Sequence, residues 1–265
     1  MSEDAALIEA RGLTVRIGRV TAASGLDLAV PAGRSLGILG PNGIGKTTLL
    51  LTLAGIRPAE AGTVLLDGAP LDGLPRRAVA RRLGMLTQNT RFAFDATCLE
   101  TALSGRHPHL GPWARESARD RAIALEALDR VGLAERADDS CMHLSGGEQR
   151  RLSLAVVLAQ DPAVMLLDEP TNHLDPAHQV ALLDRLWARV HAGRRAQVLA
   201  LHDVNLATCY CTDVLMLFGD GRWEAGPTGD LLTAERLSRL YGCTIRAVSD
   251  GAQTVFAVAG GDSRA

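Results

Sequence analysis

Of the 28 basic residues in this 265-residue chain, all but Lys46 are arginine. Lysine and arginine part company where a compact ammonium must sit among closely packed acceptors. The stretch Gly40-Pro41-Asn42-Gly43-Ile44-Gly45-Lys46-Thr47-Thr48 fits G-x-x-x-x-G-K-[ST]. Its glycines let backbone N–H groups turn inward around β- and γ-phosphates, and the helix that follows adds its positive N-terminal end. Lys46 can reach those phosphates, and the Thr47 hydroxyl can ligate Mg²⁺. Val164-Met165-Leu166-Leu167-Asp168-Glu169 ends an apolar run on two carboxylates. Beside a phosphate loop, Asp168 suits the partner of a Mg²⁺ ion and Glu169 a base that polarises attacking water. In Leu144-Ser145-Gly146-Gly147-Glu148-Gln149, Ser145 and Glu148 make the S-x-x-E capping box that opens a helix. A cap does not need the two glycines between them; they leave a helix N-terminus bare toward an anion.

These groups need rigid supports. Ser35–Leu39 reads as a buried strand leading into the glycines, and Lys46–Ala54 as a helix stopped at Gly55. Thr63–Leu66, closed by the Asp67-Gly68 turn, and Leu83–Gln88 read as further strands. Val164–Leu167 and Val198–Leu201 are unbroken apolar runs of the kind that parallel sheets bury on both faces. A helix starting at Pro176 separates them. Between Thr97 and Gln160 the pattern turns helical, with an amphipathic stretch over Ala114–Val131. Beyond Val214 come a strand, the Asp220-Gly221 turn, a helix near Leu231–Leu240 and two short closing strands. The pattern is an α/β core with a helical insertion between about residues 90 and 160.

Composition removes several function classes. With 47% hydrophobic and 22% charged residues the chain is globular rather than disordered. A net charge of −2 gives no basic field, so no nucleic acid partner is expected. No apolar stretch approaches the roughly 18 residues of a spanning helix. Met1–Ala10 carries Glu3 and Asp4 and does not read as a signal peptide. The chain is therefore expected to be soluble and cytoplasmic. Its cysteines, Cys98, Cys141, Cys209, Cys211 and Cys243, are odd in number and form no C-x-x-C pair, which suits neither a disulfide framework nor a zinc knuckle.

From about Leu7 to Val248, the phosphate loop, the acid pair and the Leu144–Gln149 hexapeptide resemble, in kind and order, the nucleotide-binding subunit of an ATP-binding cassette (ABC) transporter. The resemblance implies one ABC ATPase domain over residues 1–265: a P-loop NTPase (RecA-like) core, an antiparallel β subdomain, a helical subdomain at about 90–160 and a C-terminal extension at about 220–265. It implies ATP held by Gly40, Asn42, Gly43, Gly45, Lys46, Thr47 and Thr48, with Mg²⁺ on Thr47, Gln88 and Asp168. Glu169, Gln88 and the switch histidine His202 become catalytic, and Asp175 becomes the D-loop residue. Ser145, Gly146, Gly147 and Glu148 would contact ATP held by the opposite subunit, so two copies must meet head to tail. Membrane permease subunits and a periplasmic or extracellular substrate-binding protein complete the implied assembly, at the cytoplasmic face of a bacterial inner membrane.

Two departures from the family pattern carry expectations. Where related subunits place an aromatic against adenine this chain has Ile17, which predicts weaker or less base-selective nucleotide binding. Val156 or its neighbour lies where the family often has an arginine, and no catalytic assignment depends on it. Gly105-Arg106-His107-Pro108-His109 is similar to importers of cobalamin, ferric siderophores and haem, with cobalamin favoured. His107 and His109 alone make an incomplete metal site.

Overall fold

The computed structural model describes residues 5–88, 92, 94–172, 174–249, 251 and 254–259. Two long strands, β1 (Ala6–Ile17) and β2 (Val20–Pro31), pair antiparallel at the start of the chain. The residue pattern alone does not announce them, because bulges break their alternation. Gly12 (φ 57°) and Gly25 (φ 61°) sit where the register slips, between Ala10 and Leu13 and between Leu13 and Val15. Next come β3 (Ser35–Leu39), α1 (Lys46–Leu53), β4 (Ala61–Leu66), the short β5 (Ala69–Pro70), α2 (Arg76–Arg82) and β6 (Leu83–Leu86). Strands β2, β1, β4 and β5 form one antiparallel sheet in that order.

The helical stretch follows, with α3 (Cys98–Leu103), α4 (Ala118–Arg130) and α5 (Gly146–Gln160). Helix α4 starts four residues later than its amphipathic pattern, because Ser117 and Asp120 close a capping box there. The chain returns to the core through β7 (Val164–Asp168), α6 (Pro176–His191), β8 (Ala196–Ala200), α7 (Val204–Tyr210) and β9 (Asp213–Leu217). It closes with β10 (Trp223–Pro227), α8 (Thr228–Leu231), α9 (Ala234–Tyr241) and the hairpin β11 (Ile245–Ser249) and β12 (Thr254–Val258). The expected single helix near Leu231–Leu240 is two, α8 and α9, with Thr233 capping the second.

The second sheet has the order β10-β9-β3-β8-β7-β6, parallel except for β10. Every residue of β3, β7 and β8 is buried, as expected for strands covered on both faces. One hydrophobic cluster packs α1 and the antiparallel sheet against one face. The other cluster runs from the opposite face into α3–α5. The helical region and the core therefore share a continuous interior.

Candidate functional site

Parallel pairing assembles the site. Ile38, Ala200 and Asp168 occupy one rung across β3, β8 and β7, and Leu86 of β6 pairs with Leu167. One or two residues beyond those positions the chain reaches Gly40, His202, Glu169 and Gln88. Four segments far apart in sequence thus meet at the carboxyl edge of the sheet, where open α/β folds bind ligands. Together with α1 they line an open cavity of about 480 Å³, bounded by Ile17, Asn42, Gly43, Gly45, Lys46, Thr47, Thr48, Gln88, Glu169 and His202.

The glycine loop can take its shape only with glycines. Gly45 caps α1 at φ 110°, and a Cβ there would lie 2.5 Å from Ala22 Cβ. Ile17 closes the same corner, its Cδ1 3.0 Å from that position. Lys46 is buried, and its Nζ donates to the carbonyls of Gly40 (2.7 Å) and Pro41 (3.1 Å). Burial lowers its pKa against the opposing pull of Glu169 and Asp168. Asp168 is wholly buried, and neither carboxylate oxygen has a hydrogen-bond partner of ordinary geometry. Burial raises its pKa, partly offset by the neighbouring Thr47 hydroxyl.

Glu169 is the hub of the cavity. Its Oε2 accepts from Gln88 Nε2 at 2.9 Å and from Asn172 Nδ2, while Oε1 meets His202 Nε2. The residue sits at φ 51°, a left-handed conformation costing about 1–2 kcal/mol for a non-glycine residue. Its N–H donates to Ala200 O (3.1 Å), and its carbonyl accepts from Asn172 N (3.2 Å). Strain of this kind persists where surrounding structure over-determines a functional side chain.

The Leu144–Gln149 turn lies elsewhere, and none of its residues lines that cavity. Ser145 and Gly146 are exposed, and a Cβ on Gly146 would touch nothing within 4 Å. The capping box is present: Ser145 N and Oγ donate to Glu148 Oε2 at 2.8 and 2.7 Å, and Arg136 grips Oε1. Ser145 and Arg136 together hold the Glu148 carboxyl down at about 2. Glu148 thus anchors the turn. Asp175 also lies outside the cavity and caps α6, its carboxylate accepting from His178 N (3.0 Å) and meeting His178 Nδ1 (2.6 Å).

Comparison with known proteins gives this geometry a family. The ABC transporter family model matches residues 23–172, more than half of the chain. The chain belongs to the ABC transporter family. It is 36% identical over 250 residues to the ferric enterobactin transport ATP-binding protein FepC of Escherichia coli, covering 94% of this chain and 92% of that one. It is 39% identical over 248 residues to the hemin import ATP-binding protein HmuV of Myxococcus xanthus, covering 91% and 92%. A cobalamin import ATP-binding protein BtuD of Halobacterium salinarum is 34% identical over 252 residues, 94% of this chain and 63% of that protein. Among solved structures, a chain of an inward-facing transporter described as metal-chelate type superposes with a TM-score of 0.83 at 25% identity, over 97% and 98% of the two chains. A dimeric post-hydrolysis ATP-binding cassette bound to ADP and Pi gives 0.70 at 25% identity, over 82% and 97%. The fold is that of an ABC ATPase, with ATP as its substrate and ATP hydrolysis as its reaction.

Within this ABC ATPase, two side chains at the site escape a reading of the motifs. Asn172 contacts the Glu169 carboxylate from three residues on, within the same turn. Arg150 is buried on α5, and its guanidinium donates to four backbone carbonyls: Thr87, Gln88 (3.2 Å), Asp168 and Glu169 (3.0 Å). Among so many arginines, nothing in the sequence marks this one except its place two residues after Glu148.

Proposed function

We propose that the chain is the energy-coupling subunit of an importer of metal chelates, driving uptake of cobalamin, a ferric siderophore or haem through membrane permease subunits. One observation carries the reading. The Ser145–Glu148 turn contributes no residue to the phosphate cavity of its own chain, so in this reading a second copy presents it to the ATP. Two copies related head to tail would each lend the other's ATP a signature turn, and the likeness to a dimeric cassette supports that arrangement. Likeness over nearly the full length to FepC and HmuV, and to BtuD over a shorter share of that protein, supports import of such chelates. Cobalamin is the first compound to test.

In the proposed site Gly40–Thr48 wrap the phosphates and Lys46 neutralises them. The Thr47 hydroxyl and the buried Asp168 carboxylate, whose oxygens have no hydrogen bond of ordinary geometry, fit a Mg²⁺ ion, with Gln88 on the same cavity wall, and that ion would supply charge neutralisation to the β- and γ-phosphates. Glu169 polarises the attacking water, Gln88 and Asn172 hold its carboxylate in place, and His202, which contacts Glu169 at the cavity wall, would meet the γ-phosphate. Asp175 faces the partner subunit. On the helical side, Phe94 precedes α3 and Trp113 follows the Ser104–His109 turn, and both are exposed. Arg77 and Arg81 pin that segment through Pro108 O at 2.9 and 2.7 Å, and His109 Nε2 lies 2.8 Å from Gln160 O. Exposed aromatics on the helical side suit a docking face for a permease loop. No helix among the described residues is long and apolar enough to cross a membrane, consistent with a peripheral subunit at the cytoplasmic face.

The test is a mild-detergent pull-down of the tagged chain from native membranes, followed by uptake assays with the three chelates. A polytopic membrane protein in equal copies supports the importer. Purely soluble partners would instead make this an ABC ATPase of a non-transport machine.

A further inference from the structure

Arg150 sits where the two halves of the proposed composite site touch within one chain. It lies in the second turn of α5, just past the exposed N-cap Ser145 and Gly146. Its Nη1 reaches the carbonyls of Thr87 and Gln88 beyond β6, and its Nη2 those of Asp168 and Glu169 at the end of β7. One planar group thus ties the signature helix to the backbone that carries the glutamine, the buried aspartate and the hub glutamate. Arg150 Nε has no hydrogen-bond partner. The binding is therefore concentrated in the fork, whose rigidity transmits displacement better than a flexible ammonium. The side chain touches no catalytic carboxylate; it holds main chain.

We propose that Arg150 is a positioning residue coupling the two ATP sites of the dimer: engagement of the signature turn by the partner's nucleotide is passed through its guanidinium to Gln88 and Glu169 of its own chain. This rests on the head-to-tail reading above. The displacement needed is small, because a shift of about 1 Å in a catalytic group can cost on the order of 100-fold in rate. Each site then becomes fully competent only when the other holds ATP, and hydrolysis is cooperative with a Hill coefficient that approaches about 2 for two sites.

The test compares the full-length wild type with Arg150→Lys, which keeps the charge but not the fork, and with Arg150→Gln, a shorter neutral donor. Steady-state hydrolysis is measured against ATP concentration, with binding of a fluorescent ATP analogue and thermal melting in parallel. Arg150→Lys should lower kcat at least tenfold, leave analogue affinity and melting temperature near wild type, and bring the Hill coefficient from about 2 to about 1. Arg150→Gln should lie at or below it in kcat. Wild-type kcat and Hill coefficient in Arg150→Lys overturn the proposal. So does a loss of affinity and melting temperature in step with activity, which would make the residue merely structural. Glu169→Gln serves as the separate control, since it should form an ATP-held dimer in size-exclusion chromatography. If it stays monomeric, the head-to-tail reading falls and the coupling with it; if it dimerises while Arg150→Lys behaves as wild type, only the coupling falls.

Discussion

The floor of the phosphate cavity and the signature turn are built on opposite principles. The floor is costly for the folded chain: Asp168 is wholly buried with no hydrogen bond of ordinary geometry, Lys46 is desolvated and Glu169 holds a left-handed backbone. The signature turn is self-sufficient, with Ser145, Glu148 and Arg136 satisfying one another at the surface. The first region is thus incomplete by itself and shaped for a charged ligand. The second is complete as local structure and offers an exposed glycine edge. The teaching is general: buried charge short of hydrogen bonds marks where a ligand belongs, whereas a satisfied cap with bare glycines marks a surface for something carried by another molecule.

The strongest attack on that contrast is Glu169→Gln. Loss of the base should cut turnover by about 10²–10⁴-fold while ATP is still bound, as read by single-turnover hydrolysis beside equilibrium binding. Unimpaired turnover would remove Glu169 from its role. Lys46 comes next. An amine-reactive label should modify only Lys46 and the N-terminal amine, and saturating ATP should suppress the first by at least an order of magnitude. Equal labelling with and without ATP breaks the phosphate-loop assignment. Ile17→Tyr, which adds a stacking face at the cavity rim, should tighten ATP by about 1 kcal/mol or more, roughly fivefold, and widen the preference for ATP over GTP.

Three smaller effects, on stability, separate the regions. Asp168→Asn should abolish hydrolysis yet raise the melting temperature, because a buried charge becomes a neutral amide. The folded carboxyl titrates above its ordinary range, so its charge is a cost that appears as pH rises. The advantage of the variant should therefore be present near neutrality and vanish in acid, where Asp168 is already protonated. Glu148→Gln should do the reverse. With its folded pKa depressed to about 2 from an ordinary 4.5, the wild-type carboxylate stabilises fully above the ordinary value and loses that contribution as pH falls through about 2. The variant should melt lower near neutrality and match wild type in strong acid. Ser145→Ala should cost about 1 kcal/mol of stability through the lost cap.

Much of this molecule was legible in its residues. The lone lysine after a glycine run, the acid pair closing an apolar strand and the Ser-x-x-Glu box each have a local physical cause, and their order carries the family. The buried strands β3, β7 and β8 could be read because parallel strands show continuous apolarity. Strands β1 and β2 could not, because left-handed glycines at 12 and 25 shift the register in mid-strand. Arg150 and Asn172 were equally silent. The sequence marks which side chains are unusual, whereas these two are ordinary residues made important by what they touch.

By itself, then, the sequence determined the chemistry, since residue type and near-neighbour spacing decide which groups can cradle phosphate, hold a metal or cap a helix. Only the tertiary structure decided their partnership. The rung shared by Ile38, Ala200 and Asp168 brings four distant segments to one sheet edge, and a guanidinium joins α5 to the chain just beyond β6 and β7. Such contacts span up to 162 positions of chain, and no local pattern records them, because their energy depends on packing among groups that meet only after folding.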